Sequence, residues 1–214
     1  MPTVLLPDRS LIAVSGADAE HLLQNVITCN LDSLPEGIAR PGALLTPQGK
    51  ILFDFLISRT GDTGLIIEIR ADQVDAFTKR MMLYKLRSDM TLAVVNGRHV
   101  AVSFSDDAST PPNATKDGRF KDQIVSRLAI DSPSDDMGEN GSAWDALRID
   151  HGVAESGTDF DLGDAFPHDI SLDQNSGVDF KKGCYVGQEV VSRMHHRGTA
   201  RRRVMVAHAT HQLP

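Results

Sequence analysis

The chain of 214 residues has only two cysteines, Cys29 and Cys184, a single tryptophan, Trp144, and an aromatic content of 5%. Two thiols exclude a disulfide-stapled scaffold. No apolar run approaches the roughly 18 residues that a membrane-spanning helix needs, and no basic-then-apolar stretch opens the chain. A secreted or membrane-inserted protein is therefore not expected, and the two lone thiols read as reduced groups in a cytoplasmic compartment. With 41% hydrophobic and 24% charged residues, 17 glycines and 10 prolines, the composition is neither disordered nor fibrous. A chain of this length buries roughly two-thirds of its unfolded surface, enough for one large core or two small ones.

The net charge of −7 is unevenly spread. Residues 131–179 hold thirteen Asp and Glu against Arg148 alone, a net of −12, whereas residues 180–203 hold seven Lys and Arg against Glu189, a net of +6. Either these stretches fold against each other or the basic one faces an anionic ligand.

Periodicity predicts a strand over Leu11–Val14, followed by a helix carrying Leu22, Leu23, Val26 and Ile27. A hairpin is expected from 43–45 and 51–57 around the turn residues Thr46-Pro47-Gln48-Gly49-Lys50. A strand over 65–69 follows, then a helix capped by Asp72 and facing inward through Val74, Phe77, Met81 and Tyr84. Strands over 92–95 and 100–104 flank Asn96-Gly97, and another covers 124–130. Residues 105–118 and 131–141 have loop composition, Ser142 starts a short helix with Trp144, Leu147 and Arg148, and 153–180 show no period. Strands interleaved with helices in this order make an α+β fold the economical expectation.

The chemically informative stretch is Lys181-Lys182-Gly183-Cys184-Tyr185-Val186-Gly187-Gln188-Glu189, running on to Arg193. Two ammonium groups beside a thiol, just ahead of a helix-compatible run, favour thiolate at Cys184. Gly183 and Gly187 permit positive φ or close approach of a ligand. A buried structural cysteine beside surface lysines is the alternative.

The string Lys182 to Glu189 resembles the signature of the YgfZ family of folate-binding proteins, relatives of the T-protein (aminomethyltransferase) of the glycine cleavage system. Gly16-Ala17-Asp18 to Gln24-Asn25-Val26-Ile27-Thr28, Leu45 to Lys50, Trp144 to Ile149 and Gly163 to Pro167 also follow that family's order. The resemblance implies a tetrahydrofolate-binding protein that supports assembly or repair of iron–sulfur clusters in client enzymes, including tRNA-modifying ones. It implies a T-protein-like α+β fold with folate in a central hole. The expected division is a T-protein-like part over 1–45 with 138–198, a ferredoxin-like domain over 46–137, and in 199–214 the start of a carboxy-terminal β-barrel that is largely missing.

The site residues that follow are Cys184 and Asp54 for chemistry. For folate they are Asn25, Trp144, Lys182, Gly183, Tyr185, Gly187, Gln188, Glu189 and Arg193. An indole stacks on a pterin or benzoyl ring, and basic side chains suit the glutamate tail. The T-protein has adjacent carboxylates where this chain reads Phe53-Asp54, so aminomethyl transfer stands as an alternative activity, with Asp54 either a buried acid/base group or a solvent-facing one. A cluster needs four ligands, mostly thiolates, so no self-contained cluster or other metal site is expected. A cluster bridged to a partner assembly protein through Cys184, with His195 or His196, is open, against a reading of the two histidines as an exposed turn before Arg197-Gly198. The arginines at 201–203 raise tRNA binding as a minor alternative, against a strand with exposed arginines running into Val204, Met205 and Val206.

Overall fold

The computed structural model describes residues 3–61, 64–105, 111–133, 137 and 141–208. In chain order the elements are β1 (Thr3–Leu5), β2 (Arg9–Ser15), α1 (Ala19–Val26), β3 (Ile38–Leu45), β4 (Ile51–Thr60), β5 (Gly64–Arg70), α2 (Val74–Lys85), β6 (Thr91–Val94), β7 (His99–Ser105), β8 (Thr115–Asp117), β9 (Ile124–Ile130), α3 (Gly141–Asp150) and α4 (Gln188–Arg197). Among the described residues the strands form one nine-stranded sheet, ordered β1-β7-β9-β8-β3-β4-β5-β2-β6. All pairings are antiparallel except β3 with β8, which joins the two halves.

The alternation along the strands decides what each face meets. Ile12 and Val14 of β2, Phe53, Phe55 and Ile57 of β4, and Leu65, Ile67 and Ile69 of β5 join one core with α1 and α2. Within it, Phe77 of α2 meets the Phe53 and Phe55 rings edge-on at 5.5 and 5.8 Å. The opposite face, carrying Leu11, Leu56, Ile66 and Glu68, lines a cavity together with Thr115, Arg127 and Leu128 of β8 and β9. Walls drawn from both halves mean that the sheet curls over that space. Because β2, β4 and β5 are covered on both sides, they read as continuous apolar runs rather than strict alternation. A second core holds Val4, Val100, Val102, Phe120, Val125 and Trp144, and a third lies under the signature, with Leu45, Ile51, Leu172, Tyr185 and Val191.

Several expectations are corrected. The path β2-α1-β4-β5-α2-β6 runs over residues 9–94 with spatial order β4-β5-β2-β6, and β7 to β9 lie in the other half of the sheet. The strands on either side of Asn96-Gly97 go to different partners, β6 to β2 and β7 to β1 and β9. Asp72 lies in a single 3-10 turn over Ala71–Gln73 and does not cap α2. The first expected loop contains β8, which has no apolar run to betray it; residues 106–110, 134–136 and 138–140 of the two loops lie outside the described residues. His195 and His196 form the last turn of α4, not a loop. Residues 199–208 hold neither helix nor strand, so the expected Val204–Val206 strand is absent there, and 209–214 lie outside the described residues.

Candidate functional site

Between residues 151 and 187 the chain has no regular element, yet it is pinned by side chains. Asp179 sets the signature's entry: its carboxylate accepts the backbone N–H groups of Lys181 and Lys182 at 2.6 and 2.9 Å, and Nδ2 of Asn30 at 2.9 Å. Burial alone would raise this carboxyl, but those hydrogen bonds keep it below its ordinary range. Lys182 then turns inward. Its Nζ donates to the carbonyl oxygens of Ile27 and Cys29, each at 2.8 Å, and lies 5.4 Å from the centre of the Tyr185 ring. Burial pushes this ammonium down to about 8.

Tyr185 is buried in the third core. Gly187 takes φ +79° as the N-cap of α4, where a Cβ would stand 2.6 Å from the Thr46 carbonyl oxygen. A Cβ on Gly49, on the facing turn, would stand 3.0 Å from Val190 of α4. The Thr46-to-Lys50 turn and the signature are therefore one packed unit, although about 135 residues separate them along the chain.

Cys184 projects from this clamped loop and is exposed, whereas Cys29 is buried. Burial pushes the Cys29 thiol up to about 11, with Lys182 opposing. The sequence expected both ammonium groups to act on Cys184; the structure directs Lys182 at the backbone around Cys29 instead. Two of the three Lys182 N–H donors are thereby used inside the protein. The remaining residues assigned to folate also stand apart from the cavity. Asn25 on α1 donates to the His21 carbonyl oxygen at 2.9 Å, Glu189 and Arg193 pair with each other on exposed α4 at 2.8 Å, Gln188 begins that helix, and Gly183 meets nothing. Trp144 packs between Phe104 and Phe120 at 6.3 and 5.8 Å. Its indole is 3% exposed and reaches the cavity only through the Arg127 guanidinium, 5.1 Å from the ring.

The cavity has a volume of about 350 Å³, and its apolar walls are crossed by Arg59, Arg98, Arg127 and Glu68. Beneath it lies a buried ionic network that sequence reasoning missed. Glu68 accepts from Arg9 at 3.2 Å and faces Arg127 at 3.2 Å; Asp117 pairs with Arg119 at 2.8 Å and Arg127 at 3.0 Å; Glu155 lies 3.5 Å from Arg119. Three arginines thus face three carboxylates. Burial would raise Asp117, but Arg119 and Arg127 hold it at about 2. Both terminal nitrogens of Arg127 are buried, Nη1 at 3.2 Å from Glu68 and Nη2 at 3.8 Å from Glu155. The signal available in sequence was a charge inside an apolar strand, Glu68 in β5 and Arg127 in β9.

Asp54 is half-buried rather than solvent-facing, in a small cleft shared with Arg9, Arg119 and Asn175. Phe53 points the opposite way, into the α2-covered core, so strand alternation gives the two positions different surroundings. The acidic and basic stretches do fold together: Arg203 pairs bidentately with Asp173 at 2.8 Å, and Arg202 lies 3.3 Å from Asp169. His168, Asp173 and His195 converge in the same region.

No family model matches the chain. Its amino-acid sequence is similar to iron-sulfur cluster assembly factor IBA57 homologues described as mitochondrial, with 32% identity in Chaetomium globosum, 30% in Mycosarcoma maydis and 30% in Neurospora crassa, over 94% of this chain in each case. The chain spans about half the length of these relatives, 54%, 55% and 52% respectively. The fold matches that of the glycine cleavage system aminomethyltransferase T from Bartonella henselae, with a TM-score of 0.70 and 16% identity, over 91% of this chain and 63% of that one. The architecture is therefore that of the glycine cleavage T protein. The mitochondrial relatives overturn the cytoplasmic expectation: reduced thiols separate oxidising from reducing compartments, but not one reducing compartment from another.

Proposed function

We propose that the chain is a tetrahydrofolate-binding factor of the YgfZ kind that supports iron–sulfur cluster assembly or repair in client enzymes, tRNA-modifying ones among them, with Cys184 as the working thiol. The observation that carries this reading is the placement of Cys184: an exposed thiol on a loop held by its buried neighbours Lys182 and Tyr185 and by the close packing of Gly187. An exposed thiol on a rigid support offers one ligand to a cluster shared with a partner, and the remaining ligands come from that partner. The names of the relatives and the fold support the same role.

Folate fits the cavity under the curled sheet better than the signature. Its volume lies at the low end of the roughly 300–1,000 Å³ usual for ligand pockets. Arg59, Arg98 and Arg127 on its walls give it polar groups among the apolar ones. Trp144, in contact with Arg127, reports on binding from outside the pocket. Titration with tetrahydrofolate is expected to change the Trp144 emission, with matching heat by calorimetry, and Ile66→Phe, which fills the cavity, is expected to abolish both. An unchanged signal with no heat removes the folate reading.

The thiol reading is tested separately. Cys184→Ser is expected to remove iron–sulfur enzyme maturation in a complementation strain while leaving the fold and folate binding intact; full complementation sinks it. Aminomethyl transfer is the second reading, favoured only by the position of Asp54 beside Arg9 and Arg119. Loss of function in Asp54→Asn at unchanged stability would favour it.

A further inference from the structure

His168, Asp173 and His195 come from three separate places: the turns at 166–169 and 171–174, and the last turn of α4. One potential ligand atom from each lies within 4.8 Å of the others. His168 is 1% exposed, and neither of its ring nitrogens has a hydrogen-bond partner. A neutral imidazole always presents one N–H and one lone pair, so leaving both unpaired inside the protein is costly. Such an orphan points to a partner that protein atoms do not supply.

The neighbours hold the other two groups in place. The His195 ring stacks on Phe180 with centroids 3.8 Å apart, which fixes its plane. Asp173 takes both terminal nitrogens of Arg203 at 2.8 Å, one on each carboxylate oxygen. That pairing uses one lone-pair direction per oxygen and leaves the others open. Asp169 adds negative charge close to His168, which offsets Arg203. Two imidazoles and one carboxylate, with positions open to solvent on the His195 side, form a donor set suited to zinc or iron(II).

We propose that His168, Asp173 and His195 bind one divalent transition-metal ion, with Arg203 orienting the carboxylate from behind. None of the three residues lines the cavity, and the donor set contains no thiol, so the site does not rest on the folate reading or on Cys184. Binding ties the segment after α4 to the turns at 166–174, because Arg203 and Asp173 move together.

The test uses cobalt(II) as a spectroscopic probe in a Cys184→Ser background, which removes the exposed thiol as a competing ligand. One equivalent of cobalt is expected to give visible d–d absorption, displaced by zinc. His195→Ala, at an exposed position where folding is not threatened, is expected to weaken binding about tenfold or more. His168→Ala should do the same, whereas His196→Ala, on the adjacent but outward-facing ring, should leave affinity unchanged. Zinc is expected to raise the melting temperature of the parent but not of His195→Ala. Absent absorption, or affinity equal to the parent's in both His168→Ala and His195→Ala, overturns the proposal and leaves Asp173–Arg203 as an ion-pair clamp only.

Discussion

Gly187 and Thr46 are in contact so close that a side chain at the former has nowhere to go: its Cβ would lie 2.6 Å from the Thr46 carbonyl oxygen. The left-handed conformation of Gly187 adds a second cost to any substitution. Gly187→Ala is therefore expected to lower stability by about 2–3 kcal/mol. Gly183→Ala, with no atom near, should stay within about 0.5 kcal/mol. Urea denaturation of the two variants side by side checks this, and equal losses would refute it.

Asp117 links stability to acid pH. Burial would raise its carboxyl, but Arg119 and Arg127 hold it down at about 2, against 3.8 unfolded. The native state thus favours the ionised form, and the contribution is complete above about pH 4 and is lost as pH falls through about 2, an effect of about 2 kcal/mol. Denaturation midpoints at pH 7, 4, 3 and 2 should show the fall in wild type. Asp117→Asn should fall less over that window, having already lost about 3–5 kcal/mol at pH 7 by leaving two buried guanidinium groups underpaired.

The two thiols should differ sharply in reactivity. Cys184 is exposed, while Cys29 is fully buried with its thiol pushed up to about 11. Under native conditions one equivalent of a disulfide reagent is expected to react promptly, and Cys184→Ser should remove that phase. The Cys29 phase should appear only with denaturant. Two fast equivalents in the native protein would contradict the burial of Cys29.

Lys182 is a brace. Lys182→Met keeps the apolar stem but removes the donor shared by the Ile27 and Cys29 carbonyl oxygens, and is expected to cost about 2 kcal/mol. With the loop loosened, native-state amide exchange at 183–186 should speed up. Unchanged stability would mean that water replaces the ammonium without loss.

Much of the sheet was legible because its strands carry strong local signals. Leu11–Val14, Ile51–Ile57 and Leu65–Ile69 are apolar runs bounded by turn residues, and all three are strands. β8 was not legible, since Thr115-Lys116-Asp117 is polar and is held by pairing with β3 and by the arginines around Asp117. At the site, the signature named the stretch that carries Cys184, and the structure adds how Lys182 and Gly187 are packed around it.

Sequence by itself determined the element types, the signature, the two thiols and the complementary charge of 131–179 and 180–203, because each is a property of neighbouring residues. Only the tertiary structure decided which thiol is exposed, where the ammonium of Lys182 goes, and which charges are buried. Those outcomes depend on contacts between residues far apart in the chain, such as Lys182 with Ile27, Arg127 with Glu68, and His168 with His195. Local periodicity carries no record of such distances, since burial and pairing are set when the curled sheet brings its two halves together.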